Sequence, residues 1–252
     1  MPDSGLDAYI AAFDARCAAD DSPGTRRVLG PGIDGLVSVD GSSPTHLLVL
    51  DDRAFDELAA ALPRATAGTI RVHEAAGRCA DLLRREPTWT AKAVTAMVCS
   101  DLQSVPDAPL PPGLTLRPVR RVFEDPSDWV PLADAVSAAG RAAPDEVSTA
   151  ALAAYLESLP EGPRLFAAVD VGGTVRGTSG SRTFLPEASA FFVNTDPGWR
   201  RLGVGLAMTA VALRSASESG ATRASLDASG LGVPLYLRLG FSDVGQMTQF
   251  SR

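Results

Sequence analysis

The chain has 252 residues, 45% apolar and 21% charged, the composition of a soluble globular protein long enough for one large domain or two smaller ones. A formal net charge of −7 disfavours nucleic acid and anionic membrane as partners, because both are recognised by a basic face. No apolar run approaches the roughly 20 residues of a membrane span. The three cysteines, Cys17, Cys79 and Cys99, are odd in number and widely spaced, and only His46 and His73 accompany them, so neither a disulfide framework nor a metal site is expected.

In chain order, residues 1–20 predict an amphipathic helix, with Leu6, Ile10 and Phe13 on one face. Their early acids and the lack of a basic-then-apolar leader lead us to expect no export and a cytoplasmic protein. Gly30-Pro31-Gly32-Ile33-Asp34-Gly35 formally matches a GxGxxG dinucleotide fingerprint, but the next residues, Leu36-Val37-Ser38-Val39, alternate like a strand where a helix is required. The motif reads as a turn. Strands at 46–50, 68–73 and 93–102 alternate with helices at 53–62 and 75–85, and the paired Asp51 and Asp52 suit a strand end that caps the next helix. Lys92 is the only lysine in an Ala- and Arg-rich chain, a bias of GC-rich bacterial coding that carries no mechanism.

Pro106, Pro109, Pro111 and Pro112 lead into Gly113, a density that neither a helix nor a central strand tolerates. We therefore expect an N-terminal α/β domain over 1–105, a Pro-rich linker at 106–112 and a second domain over 113–252. In the second domain a strand at 114–119 precedes helices at 127–139 and 145–159. A hairpin comes next, 164–170 and 175–184 around Gly172-Gly173, then a strand at 188–195, a helix at 203–219 closed by Gly220, a strand at 222–227, a short helix at 234–239 and a last strand or hairpin from Phe241.

The stretch Phe191 to Thr209, FFVNTDPGWRRLGVGLAMT, passes from strand to loop to helix start. Backbone N–H groups of a first helical turn have no internal acceptor and carry the positive end of the helix dipole, so a Gly-rich loop there is an anion cradle. From Pro197 to Arg214 the chain has three arginines and no acid, a positive island in an acidic protein. Three phosphate loops compete for this pattern. A P-loop is excluded by Val204 and Gly205, which stand where Lys and Ser/Thr are needed. A dinucleotide loop would want a small residue at Met208, although Asp227 sits where its ribose acid would be. The third is R-x-x-G-x-G, met by Arg200-Arg201-Leu202-Gly203-Val204-Gly205.

That loop, the preceding Thr195-Asp196-Pro197-Gly198-Trp199-Arg200 and the later Leu235-Tyr236-Leu237-Arg238-Leu239-Gly240-Phe241 resemble the GNAT superfamily of acyl-CoA-dependent N-acetyltransferases, most strongly over 188–241. The resemblance implies a GNAT-type α/β fold: a mixed, mostly antiparallel, splayed sheet flanked by helices, preceded here by a smaller α/β domain that is itself a degenerate GNAT-like half without R-x-x-G-x-G. It implies acetyl-CoA as co-substrate with no metal, and a small-molecule or peptide amine as acceptor. It assigns the main chain of Val193 and Thr195 to pantetheine and the thioester carbonyl, and Arg200, Arg201, Leu202, Gly203, Val204 and Gly205 to the pyrophosphate. Tyr236 matches the acid that protonates the departing thiolate. Ser229 stands where the family often has Asn, against the pantetheine arm. A general base is left open among Glu187, Asp196 and Asp227, and homodimerisation is left open as well. An acceptor pocket is expected along residues 129–159 and the last hairpin. Two rivals stay in view: a noncatalytic acyl-CoA sensor, which would not need Tyr236, and a nucleotide-binding oxidoreductase.

Overall fold

A computed structural model describes residues 4–20, 24–39, 41, 43–119 and 164–252. The expected helices at 127–139 and 145–159, and the acceptor-pocket segment they carry, lie outside the described residues. The chain divides into two compact units, one of Met1–Val98, Asp227–Pro234 and Ser242–Arg252, the other of Cys99–Leu226 and Leu235–Phe241. None of the described helices is long and apolar enough to cross a membrane.

In the first unit α1 (Ser4–Asp20) is followed by β1 (Thr25–Gly30), β2 (Ile33–Ser38), β3 (Thr45–Val49), α2 (Phe55–Ala61), β4 (Gly68–His73), α3 (Gly77–Arg84) and β5 (Thr90–Cys99). The Gly30 to Gly35 motif is the tight turn of the β1–β2 hairpin, closed between Gly30 and Ile33, as the strand-like residues after it required. β1, β2 and β3 are antiparallel, whereas β3 and β4 run parallel from Thr45↔Gly68 to Val49↔Val72, with α2 as their crossover. Asp51 accepts a hydrogen bond from Arg53 N–H and Asp52 from Cys79 N–H, so both acids cap helical starts. The final strand of the chain, β11 (Ser242–Ser251), lies between β4 and β5, antiparallel to both.

Period-2 alternation sorts this sheet into two cores. Leu47, Val49, Ile70, Val72 and Phe250 face α2 and α3, packing with Leu58 and Leu83. Leu36, Leu48, Val94, Val98 and Met247 face α1, packing with Tyr9, Phe13 and Cys17. Asp227, at the end of β10, is buried here against Arg71 of β4 and Tyr9 of α1.

Early in the second unit comes the Pro-rich segment, which forms neither helix nor strand over 105–111. It packs on this unit: Ala108 is buried, Leu110 meets the Val204 and Met208 cluster, and Asp107 pairs with Arg214. β6 (Leu114–Val119), β7 (Arg164–Asp170), β8 (Val175–Phe184) and β9 (Glu187–Thr195) form an antiparallel series. α4 (Val204–Glu218) then crosses over to β10 (Arg223–Ala228), parallel to β9. A last helix, α5 (Val233–Arg238), leads to β11. The architecture is thus mixed α/β and mostly antiparallel, of GNAT type. No residue-level repeat exists, yet the order β1-β2-β3-α2-β4-α3-β5 recurs as β7-β8-β9-α4-β10-α5-β11, with the helix crossover and parallel pair at the same place in each.

Candidate acyl-donor site

β9 and β10 pair only from Arg223↔Glu187 to Ser225↔Ser189, although β9 continues six residues further, to Thr195. Beyond Ser189 the main chain of β9 is therefore not paired with β10. On its other edge the register with β8 slips between Thr178 and Gly180, placing two β9 residues opposite one. The bulge residue is Phe192, in the left-handed region at φ 51. An aromatic residue there is strained by about 1–3 kcal/mol and stays only because its surroundings hold it. Val193 is the next residue.

The turn after β9 is built by Asp196, whose carboxylate accepts the Gly198 N–H at 2.8 Å and the Arg176 guanidinium at 2.7 Å. Arg176 also reaches Asp170 at 2.8 Å. The Arg176 bond, together with the Gly198 N–H, holds the Asp196 carboxyl below the usual carboxylate range against a small burial penalty. Arg200, Arg201 and Leu202 are exposed, Arg201 at φ 63 and Gly203 at φ 91. α4 then begins at Val204, with Gly203 as N-cap and no side chain closing the cap. The N–H groups of its first turn therefore have no acceptor within the helix, at the positive end of the dipole.

The two glycines serve different needs. Gly203 faces open space, and its requirement is the left-handed backbone. A Cβ on Gly205 would stand 2.9 Å from Leu235 Cδ1 and 3.2 Å from Thr195 Oγ1, so Gly205 is small because β9 and α5 close upon the helix start there. Val204 is also not a surface group: it is 1% exposed, packed with Met208 and Ala168, and only its main chain can face a ligand. α4 sits directly on β8, where a Cβ on Gly177 would come within 2.6 Å of Val204 Cγ1. Gly177→Ala is expected to lift the helix start and lose about 1–3 kcal/mol in chemical denaturation.

Tyr236, in α5 next to Leu235, is 8% exposed, with its ring 5.8 Å from Phe241 at 60°. Its hydroxyl has no hydrogen bond among the described residues, and burial pushes the phenol up to about 12. Tyr236, Thr195, Val193 and the 200–205 loop all belong to the second unit. Ser229 belongs to the first, where its carbonyl accepts the Gly232 and Val233 N–H groups and starts α5.

None of the acids left open as a base is free. Glu187 is at the opposite end of β9 from Thr195 and paired with Arg223; burial raises its pKa against that partner. Asp196 is bound into its turn. Burial works to raise the Asp227 pKa, but Arg71 and the Tyr9 hydroxyl outweigh it and the net shift is downward. The bulge at Phe192 was not foreseeable from the run of β9. A hint stood in its neighbour: Gly177 and Gly180 inside one strand signal close approach on both faces.

No family model and no curated protein matches this chain. Among solved structures it is similar over 98% of its length to a GCN5-related N-acetyltransferase from Kribbella flavida, covering 96% of that chain at 18% identity and a TM-score of 0.62. It is similar to a GCN5-related N-acetyltransferase from Sphaerobacter thermophilus over 98% of this chain and 92% of the other, at 15% identity and a TM-score of 0.57. A tandem GNAT protein from the clavulanic acid biosynthesis pathway is matched over 100% of this chain and 96% of its own, at 15% identity and a TM-score of 0.55. At these identities the likeness establishes the fold.

Proposed function

We propose that the protein is an acyl-CoA-dependent N-acetyltransferase whose second unit holds acetyl-CoA. The observation that carries this reading is the parting of β9 from β10 after Ser189, followed within one strand by the Phe192 bulge, the uncapped start of α4 and the Arg200 to Gly205 loop, in a GNAT-type fold. The pyrophosphate fits that loop through the first-turn N–H groups and the exposed Arg200 and Arg201. Val193 and Thr195 offer main-chain groups to the pantetheine arm and to the thioester carbonyl. Ser229, seven residues before Tyr236, is proposed to touch the same arm.

Acetyl-CoA supplies an activated acyl carbon. The acceptor amine attacks it, a C–N bond forms, the C–S bond breaks, the thiolate takes the phenolic proton of Tyr236, and the proton shed by the attacking nitrogen passes through water to restore the phenol. With the acids described above engaged elsewhere, the amine enters already neutral or loses its proton to water. The first unit is proposed to be a second, degenerate copy of the same fold. Its corresponding crossover carries Asp51 and Asp52 in place of arginines and glycines, and Asp51 caps its own helix, so no anion cradle forms there.

The test is a melting assay with acetyl-CoA, CoA and NAD(H), joined to an acceptor screen that monitors free thiol. At a ligand concentration 100 times Kd, acetyl-CoA and CoA should stabilise by about 2.7 kcal/mol, and thiol release should appear with at least one amine. Stabilisation by NAD(H) alone would refute the reading. Binding of acetyl-CoA without thiol release from any amine would mark a sensor.

A further inference from the structure

β8 carries, at 177–180, the sequence Gly-Thr-Ser-Gly, and its two faces do different things. Gly177 and Ser179 face α4: Gly177 lets Val204 and Met208 close in, and the Ser179 hydroxyl donates to the Met208 carbonyl at 2.7 Å. Thr178 and Gly180 point the other way. A Cβ on Gly180 would stand 2.8 Å from the Phe191 ring and 2.7 Å from Leu165 Cδ2. Thr178 is 2% exposed and its hydroxyl donates to the Phe192 carbonyl at 2.7 Å.

That hydrogen bond has a directional consequence. The Phe192 carbonyl and the Val193 N–H belong to one planar trans peptide and point in opposite directions. A carbonyl held by Thr178 on β8 turns the Val193 N–H away from β8, toward the edge of β9 where β10 is no longer paired. The strained conformation at Phe192 makes this orientation possible, and the buried hydroxyl is the polar group that holds it.

We propose that Thr178 is a positioning residue, which aims the Val193 N–H at the thioester carbonyl of the bound acyl donor by fixing the carbonyl of the peptide between Phe192 and Val193. It touches neither substrate nor reacting atoms. The inference rests on the acetyltransferase reading. Because the pyrophosphate loop is a separate feature, Thr178 governs how the acyl group is polarised and leaves CoA affinity alone.

The experiment uses the full chain and acetyl-CoA carrying 13C at the acetyl carbonyl. In the wild type the carbonyl resonance moves downfield on binding, as expected for a hydrogen-bonded thioester. Thr178→Val removes the hydroxyl at nearly constant shape; it should abolish most of that shift while CoA, titrated separately, binds as it does to the wild type. Thr178→Ser should restore the shift. A purely structural threonine would lower the melting point of the valine variant without changing the bound carbonyl resonance, and that result overturns the proposal. Should Thr178→Val not fold, Thr178→Cys, whose thiol is a much weaker donor, carries the same readout. A wild type that binds neither CoA nor acetyl-CoA overturns the acetyltransferase reading as well; a wild type that binds both, with an unchanged shift in the valine or cysteine variant, overturns the role of Thr178 alone.

Discussion

Asp227→Ala is expected to destabilise the protein by about 3–5 kcal/mol, a loss of roughly 6–20 °C in melting midpoint. The reason lies in the first unit. Asp227 Oδ2 accepts from Arg71 Nε at 2.5 Å and Oδ1 from the Tyr9 hydroxyl at 2.6 Å. Arg71 is 8% exposed, and Arg16 adds a second positive charge: both guanidinium carbons lie over the Phe13 ring, at 5.9 and 4.9 Å. Removing the carboxylate takes the anion away from two like charges, the buried Arg71 and the partly exposed Arg16. Asp227→Asn keeps an acceptor for Tyr9 and should lose less.

The pH dependence is set by the direction of the shift. Asp227 titrates lower in the folded protein than in the unfolded chain. Its contribution is therefore complete above the unfolded value of about 3.9 and fades as pH falls through the folded value. Below about pH 4 the wild type should lose stability more steeply than Asp227→Asn. An alanine variant within about 1 kcal/mol of the wild type would show that the buried pair contributes little.

The elements of this fold were largely legible in the sequence because each obeyed a local rule. Strand-like alternation over Leu36 to Val39 marked β2, a short buried apolar run marked β3, Pro-Gly punctuation marked the turns, and Gly220 and Gly240 closed helices with φ of 94 and 87. β1 escaped notice because Thr25 to Gly30 is half exposed, with two arginines and no apolar alternation. The placement of β11 also escaped, since nothing within Ser242 to Ser251 says which strands it will join; that depends on partners more than a hundred residues away.

The candidate site divides along the same line. Arg200 to Gly205 was legible as a spacing because a loop of this kind is encoded within six residues. The bulge at Phe192 and the hydrogen bond that holds it were not, because they arise from a register slip between two strands. Asp227 shows the converse. Its position after a strand invited a chemical role, whereas burial beside Arg71, far away in sequence, makes it a structural anion.

Tyr236→Phe should lower turnover by roughly 10²–10⁴-fold while leaving the affinity for acetyl-CoA unchanged. The hydroxyl has no hydrogen-bond partner among the described residues, so its removal should change stability near neutral pH by less than about 1 kcal/mol. Burial pushes this phenol up to about 12, so it holds its proton across the range in which an amine acceptor becomes neutral. The rate should rise with pH as the amine deprotonates, without the downturn near pH 10 that ionisation of an ordinary phenol would bring. The same shift has a stability consequence of opposite sense to that of Asp227. A folded-state value above the unfolded one contributes stability that is complete below about pH 10 and lost as pH rises toward about 12. Alkaline titration should therefore destabilise the wild type over that window and leave Tyr236→Phe less affected. A phenylalanine variant with wild-type turnover would remove Tyr236 from the reaction. Loss of rate together with loss of acetyl-CoA binding would instead assign the hydroxyl to holding the donor.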